Sequence, residues 1–279
     1  MAPVSFQIMS DLHLETHPSY DHFTFEKTAR YLALLGDIGH IQNEGLFSFL
    51  EIQLSRYTTV FFLLGNHEPY HMSIDTARSK MRAFESKMNR IHAIDTDPST
   101  PTMLTGRFVF LDKTRHDLDE SVTILGCTLF SRITPEQGRQ VSARMMDFKE
   151  TLDWDVDAHN LAHEADLSWL NAQVSHIEDA EPHRQIVIFT HHSPTVDKRA
   201  VDPKHRGSEV STAFSTDLSS EPCWRSRSVR AWAFGHTHFN CSFRDEEEGR
   251  EKVVFTNQKG YYLVPETTFH AERVFSIGE

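Results

Sequence analysis

Phe61-Phe62-Leu63-Leu64-Gly65-Asn66-His67-Glu68 is a short apolar run that stops at a glycine, with three metal- or proton-handling side chains directly behind it. It reads as a buried strand whose C-terminal end opens into a functional loop. In open α/β sheets, ligands bind just outside the carboxyl ends of strands. The same arrangement recurs along the chain. Ser5-Phe6-Gln7-Ile8-Met9 runs into Ser10-Asp11-Leu12-His13, and Tyr31-Leu32-Ala33-Leu34-Leu35 into Gly36-Asp37. Gln185-Ile186-Val187-Ile188-Phe189 leads to Thr190-His191-His192-Ser193-Pro194, and Arg230-Ala231-Trp232-Ala233-Phe234 to Gly235-His236-Thr237-His238.

The segments between these strands fit an α/β chain. Leu46, Phe49, Leu50 and Leu54 recur at helical spacing, which predicts an amphipathic helix over 44–56. With strands at 31–35 and 59–64 it makes a βαβ unit, hence a parallel pair and a right-handed crossover. Helices are expected over 74–91 and over 158–177, the latter with Leu161, Ala165, Leu167, Leu170, Val174 and Ile177 as its apolar residues. Between 135 and 155 helix is favoured over coil. Residues 18–30 read as loop with a short helix, and 95–105 as loop. Strands are expected at 107–111 and 122–130 across a charged turn, and at 239–243 and 253–256 as a hairpin. Residues 195–222 run long without periodicity, which points to a lid over a functional site, with a short helix near 211–217. No linker or internal repeat divides the chain, so residues 1–279 read as one domain.

A formal charge of −12 disfavours stable nucleic-acid binding, which lives on Lys/Arg contacts to phosphate. It leaves room for a small anionic substrate, because bound cations reverse the local sign. Cys127, Cys223 and Cys241 are few, odd in number and widely spaced, so no disulfide framework is implied. No basic segment followed by an apolar one opens the sequence, and no apolar run approaches the ~20 residues needed to span a bilayer. A soluble, cytoplasmic protein without a membrane partner is expected.

Asp11 and His13 are two apart, so on extended backbone they point the same way. If the strands share one stacked core, Asp11, His13, Asp37, Asn66, His67, His191, His236 and His238 converge on one rim. A lone Asp or His usually caps a strand or turn; a motif at every strand end argues for more. Oxygen and imidazole donors without cysteine suit Zn, Mn or Fe. Seven ligands are too many for one ion and right for two that share a carboxylate. Two dications, two carboxylates and a bridging hydroxide leave a small positive charge, which suits phosphate. Two ions ~3.5–4 Å apart can generate a hydroxide nucleophile and clamp the oxygens of an in-line displacement. Glu68 reads as a capping group. Most of the 18 histidines, His159 and His163 among them, read as solvated or locally bonded.

Asp-x-His, Gly-Asp, Gly-Asn-His-Glu, Thr-His-His-x-Pro and Gly-His-Thr-His, in this order from Asp11 to His238, resemble the calcineurin-like metallophosphoesterase superfamily. The resemblance implies a four-layer α/β/β/α sandwich of two mixed sheets flanked by helices, with two divalent or trivalent ions at the sheet edge. It implies one ion held by Asp11, His13, Asp37 and His238. The second would be held by Asp37, Asn66, His191 and His236, with Asp37 bridging. His67 takes the role of stabilising the transition state and protonating the leaving group. The family places its fourth-motif ligand straight after the strand and a threonine, which selects His191 and leaves His192 as a phosphate contact or a supporting group. His205, in the lid, is a further candidate for substrate contact.

The second motif, Gly36-Asp37-Ile38-Gly39-His40, lacks the arginine and second aspartate of the superfamily's protein Ser/Thr phosphatases. The pattern is closer to class III cyclic-nucleotide phosphodiesterases and related small-molecule phosphodiesterases, with His40 where Asp or Asn is usual. The expected function is dinuclear metal-dependent hydrolysis of small phosphodiesters, cyclic nucleotides among them, through a metal-bound hydroxide. The alternatives are a phosphomonoesterase, protein phosphatases included, and a non-catalytic metal-binding scaffold.

Overall fold

The short apolar runs assemble into two large sheets stacked face to face. The computed structural model describes residues 3–16, 20–95, 106–247 and 250–277. In chain order these hold β1 (Val4–Met9), β2 (Tyr31–Leu35), α1 (Glu44–Leu54), β3 (Thr59–Leu63), α2 (Ile74–Asp95), β4 (Arg107–Phe110), β5 (Thr114–Asp117) and β6 (Val122–Gly126). Then come α3 (Pro135–Arg144), α4 (Asp147–Glu150), α5 (Val156–Ala180), β7 (Gln185–Phe189), α6 (Pro222–Arg225) and β8 (Val229–Phe234). The chain closes with β9 (Ser242–Glu247), β10 (Arg250–Thr256), β11 (Gly260–Tyr261), β12 (Val264–Pro265) and β13 (Val274–Ile277).

The first sheet has the order β13-β1-β2-β3-β4 and the second β5-β6-β7-β8-β10-β9; β11 and β12 form a separate hairpin. β1 to β4 are mutually parallel, with β13 antiparallel against β1. In the second sheet β6, β7, β8 and β10 are parallel, and β5 and β9 run antiparallel at the edges. Both sheets are therefore mixed.

Strand alternation sorts the apolar side chains into three layers. In β2, Leu32 and Leu34 face α1 and α2, where Leu46, Phe49, Leu50, Met81 and Phe84 cover them. Ala33 and Leu35 face the other sheet and meet Val187, Phe189, Ala231 and Ala233. Phe6, Phe61 and Phe189 interlock in this middle layer with ring centroids 5.5–6.3 Å apart. On the far side, Ile186, Ile188 and Trp232 pack against Leu170, Val174 and Ile177 of α5. Helix, sheet, sheet and helix thus stack as the expected sandwich.

The differences are local. The charged turn after β4 contains a strand of its own, β5. Strand β6 stops at Gly126, and the strand expected at 239–243 begins instead at Ser242. No helix forms in the described part of 18–30, and 195–222 holds only 3-10 turns at Pro203–His205 and Ser211–Ala213 before α6. The loop at 95–105 falls outside the described residues from 96 on, as does the hairpin tip at 248–249. The inner stripe of α5 is His159, His163, Asp166, Leu170, Val174 and Ile177, while Leu161 faces solvent. His159 and His163 are therefore core residues, bonded to the carbonyls of Ser131 and Phe130 at 2.8 Å each. Among the described residues no helix is long and apolar enough to cross a membrane.

Candidate metal centre

The carboxyl ends of β1, β2, β3, β7 and β8 meet at one rim, and the backbone there is unusual. Asp11, His13, Asp37, His236 and His238 all have positive φ, between 46° and 66°. This corrects the expectation that Asp11 and His13 sit on extended backbone. The chain instead turns through the left-handed region just beyond β1, β2 and β8. Such a conformation costs about 1–3 kcal/mol per residue and persists where the surroundings hold it. Here Asp11 N and His13 N donate to Gly36 O and Asp37 O, and His236 N donates to Asp11 Oδ1, each at 3.0 Å.

The loops approach so closely that Gly65 has no room for a side chain. A Cβ there would lie 2.1 Å from Asp37 Oδ1 and 2.6 Å from Asp37 N. Gly65→Ala is expected to push Asp37 aside, with ~10–100-fold weaker metal binding and a loss of about 1–3 kcal/mol from overpacking. Metal titration followed by thermal melts of the metal-free form checks both. Glu68 stitches the same two loops together: its carboxylate accepts from Asp37 N, Ile38 N and Gly65 N at 3.0, 2.7 and 2.7 Å. That is a capping role, as its sequence position implied.

Of three groups of donor atoms among the described residues, two hold expected ligands alone, Asp11 with His13 and His238, and Asp37 with His191 and His236; the third joins His13 to Glu15 and His67. His13 Nε2 lies 3.0 Å from His238 Nε2, and His238 Nε2 lies 3.3 Å from Asp11 Oδ1. His191 Nε2 lies 3.1 Å from Asn66 Oδ1 and 3.4 Å from Asp37 Oδ2, which is also 3.9 Å from His13 Nε2. Two donors each ~2.1 Å from one ion sit roughly 3–3.4 Å apart, so these spacings fit ligands around cations.

Supporting hydrogen bonds aim the donors. His191 gives its Nδ1 proton to Leu35 O at 2.8 Å, and His236 gives its Nε2 proton to Ala213 O at 3.2 Å. His13 Nδ1 pairs with Glu15 at 3.0 Å, and the Asn66 amide donates to Asp147 at 2.8 Å. Each contact leaves the other nitrogen, or the amide oxygen, free to face a cation, which is how metal ligands are fixed. The donor set and its orientation fit metal ions.

Electrostatics agree. Burial opposes a charge on Asp37, yet His191, His67 and His13 outweigh it and hold the carboxyl well below its usual range. Burial also opposes a charge on His191, but Asp37 and Asp11 push it up to about 10. The same contest, with Asp37 and Glu15 prevailing, raises His67 to about 9. Burial and then His191 press His236 down to about 3. The buried carboxylates attract positive charge to their centre.

A sequence profile of the calcineurin-like phosphoesterases matches residues 5–240, the span that carries every one of these donors. The chain belongs to that family. This phosphoesterase is 25% identical over 278 residues to an uncharacterised protein of Acanthamoeba polyphaga mimivirus, an alignment covering 91% of this chain and 90% of the relative. Its fold is similar to that of the phosphopantetheinyl hydrolase of Mycobacterium tuberculosis, at a TM-score of 0.63 and 14% identity over 99% of this chain and 96% of the other. A further solved chain, 10% identical, aligns over 98% of each at 0.50. The family typically binds two divalent metals.

The phosphoesterase's donors stand at the floor of a cavity of about 1210 Å³. Asp37, Asn66, His67, His236 and His238 line it, and so does the exposed His205. His192 does not. It is buried behind His236, with ring centroids 4.0 Å apart, and neither ring nitrogen has a hydrogen-bond partner. His192 thus stands against the ring of His236, as a supporting group would, and not in the cavity as a phosphate contact. Four residues around the site had escaped notice in the sequence. Asp147 orients Asn66, Glu15 pairs with His13 and His67, Tyr70 stacks on His67 at 4.4 Å, and Tyr261 OH lies 3.3 Å from His67 Nε2. Only the fixed distance of Glu15 from Asp11-x-His13 offered a signal.

Proposed function

We propose that this phosphoesterase hydrolyses small phosphodiesters at a two-cation centre. One cation would be held by Asp11, His13, Asp37 and His238, the other by Asp37, Asn66, His191 and His236. The observation that carries this reading is the position of Asp37, whose Oδ2 lies within 3.4–3.9 Å of one imidazole from each donor group. When bound, such a pair supplies a nucleophile at neutral pH and neutralises charge on the phosphate oxygens; Mn, Fe and Zn all suit the donors. The chain's own residues do the rest. His67, with its Nε2 4.0 Å from Asp37 Oδ2, gives its proton to the leaving oxygen as the P–O bond breaks. Val196, Val210 and Phe214, from the segment 195–222, wall the cavity on one side, and Ala213 of the same segment holds His236. That segment acts as the lid that keeps water from the reacting ester.

The preference for a diester rests on the second motif, which lacks the arginine of the protein phosphatases, and on space. No arginine or lysine pairs with any of the seven ligands among the described residues. The cavity also has room for two organic groups on phosphorus. Comparing bis(p-nitrophenyl) phosphate with p-nitrophenyl phosphate, in Mn, Zn, Fe and Mg, tests this. The diester is expected to show the higher kcat/KM. The reverse order makes the protein a monoesterase, and no turnover of either by metal-loaded protein makes it a binding scaffold.

A further inference from the structure

Glu15 stands two residues beyond His13, in a turn pinned by Leu14 N to Ile38 O at 3.0 Å and by Thr16 Oγ1 to His13 O at 2.9 Å. Its side chain is only 5% exposed and lines the cavity. One carboxylate oxygen, Oε1, serves three imidazoles at once. It lies 3.0 Å from His13 Nδ1, 3.3 Å from His67 Nδ1 and 4.0 Å from His40 Nε2. The His67 ring is fixed on its faces as well, stacked on Tyr70 at 4.4 Å and met edge-on by His13 at 4.6 Å. Among the described residues, Glu15 is the carboxylate that pairs with His67 Nδ1. We propose that Glu15 is the positioning residue for proton donation by His67, in this chain's hydrolysis of phosphoesters.

A carboxylate on one imidazole nitrogen fixes the ring's rotation and decides which nitrogen faces the substrate. With Nδ1–H held by Glu15, Nε2–H is directed into the cavity beside Asp37. When the P–O bond breaks, the electron pair goes to the leaving oxygen and takes the Nε2 proton. His67 is left neutral with its Nδ1 proton still on Glu15, and water restores the Nε2 proton afterwards. Because the same oxygen holds His13, Glu15 ties the orientation of a ligand imidazole to that of the proton donor. The inference rests on the hydrolase reading above, and its test separates the two.

Leaving-group dependence isolates this role. An alkoxide leaves poorly and needs the proton; p-nitrophenolate leaves without it. Glu15→Gln keeps the side chain's size and, because Glu15 also holds the ligand His13, is assayed at saturating metal with metal content measured on the same sample. The ratio of its kcat for an alkyl phosphodiester to that for a p-nitrophenyl ester should fall ~10–100-fold, the usual cost of removing an orienting partner. In a His67→Ala background, Glu15→Gln should lower that ratio no further, since both changes remove one function. In the zinc-loaded protein, the proton on His67 Nδ1 should resonate far downfield and move upfield in Glu15→Gln. Equal losses on both esters, additive losses in the double variant, or an unmoved resonance overturn the proposal. If Glu15→Gln does not fold, Glu15→Asp, which keeps the charge but withdraws it by a methylene, reads the same ratio and resonance. A moved resonance in a protein that cleaves neither ester defeats the hydrolase reading and leaves Glu15 as the partner that orients His67.

Discussion

Asp37→Ala is expected to emerge from purification with neither metal, and with phosphoester turnover at background. One carboxylate here reaches both donor groups, 3.4 Å from His191 Nε2 and 3.9 Å from His13 Nε2, while its other oxygen accepts His67 N at 2.9 Å. Removing it strips both cations of their shared ligand and also leaves buried imidazoles without their counter-charge. Breaking a buried charge pair by deleting one partner costs about 3–5 kcal/mol, so the metal-free variant should also melt well below the metal-free wild type. Asp37→Asn keeps the shape and loses the charge, and should fail in the same way with a smaller fall in Tm. Elemental analysis by mass spectrometry reads the outcome directly. Two ions retained in either variant would remove the bridge.

His67→Ala is expected to do the opposite: both metals stay and the fold holds, but turnover of alkyl esters drops ~10²–10⁴-fold, the usual contribution of a positioned proton donor. The imidazole lies against the donor set without completing it. Its Nε2 is 4.0 Å from Asp37 Oδ2, and its neighbours are Glu15, Tyr70 and Tyr261. Kinetics on metal-saturated protein, with metal content measured on the same sample, check this. Near-wild-type turnover would take His67 out of the mechanism.

The strand ends were legible because two constraints coincide in the sequence. A strand buried on both faces needs an unbroken apolar run, and a ligand must stand where that run stops. Leu35-Gly36-Asp37 and Leu64-Gly65-Asn66-His67 show both at once. The left-handed backbone at Asp11, His13 and His236 was hidden, because Asp and His carry no such requirement in their sequence. The tertiary packing that imposes it is invisible there. Glu15, Asp147 and Tyr261 were missed for a related reason. They come from a turn, a four-residue helix and a terminal hairpin, and no periodic pattern marks which of many acidic or aromatic residues will face the site.

The α5 helix shows how apolar periodicity misleads. Leu161 satisfies the pattern and is exposed, whereas His159, His163 and Asp166 occupy the buried stripe because backbone carbonyls, the Leu129 N–H and Lys113 provide partners there. A buried polar group is admissible when it is bonded, and those partners lie 28 to 53 residues away in the chain. β13 escaped for want of length. Its four residues gain their place in the sheet only by pairing with Val4–Gln7 at the other end of the sequence.

The shared carboxylate can be tested most directly by anomalous diffraction from crystals of the manganese-loaded protein. Two anomalous peaks are expected ~3.5–4 Å apart, one on each side of Asp37, with His67 beside them and outside bonding distance. A single peak, or two peaks that do not both contact Asp37, contradicts the account.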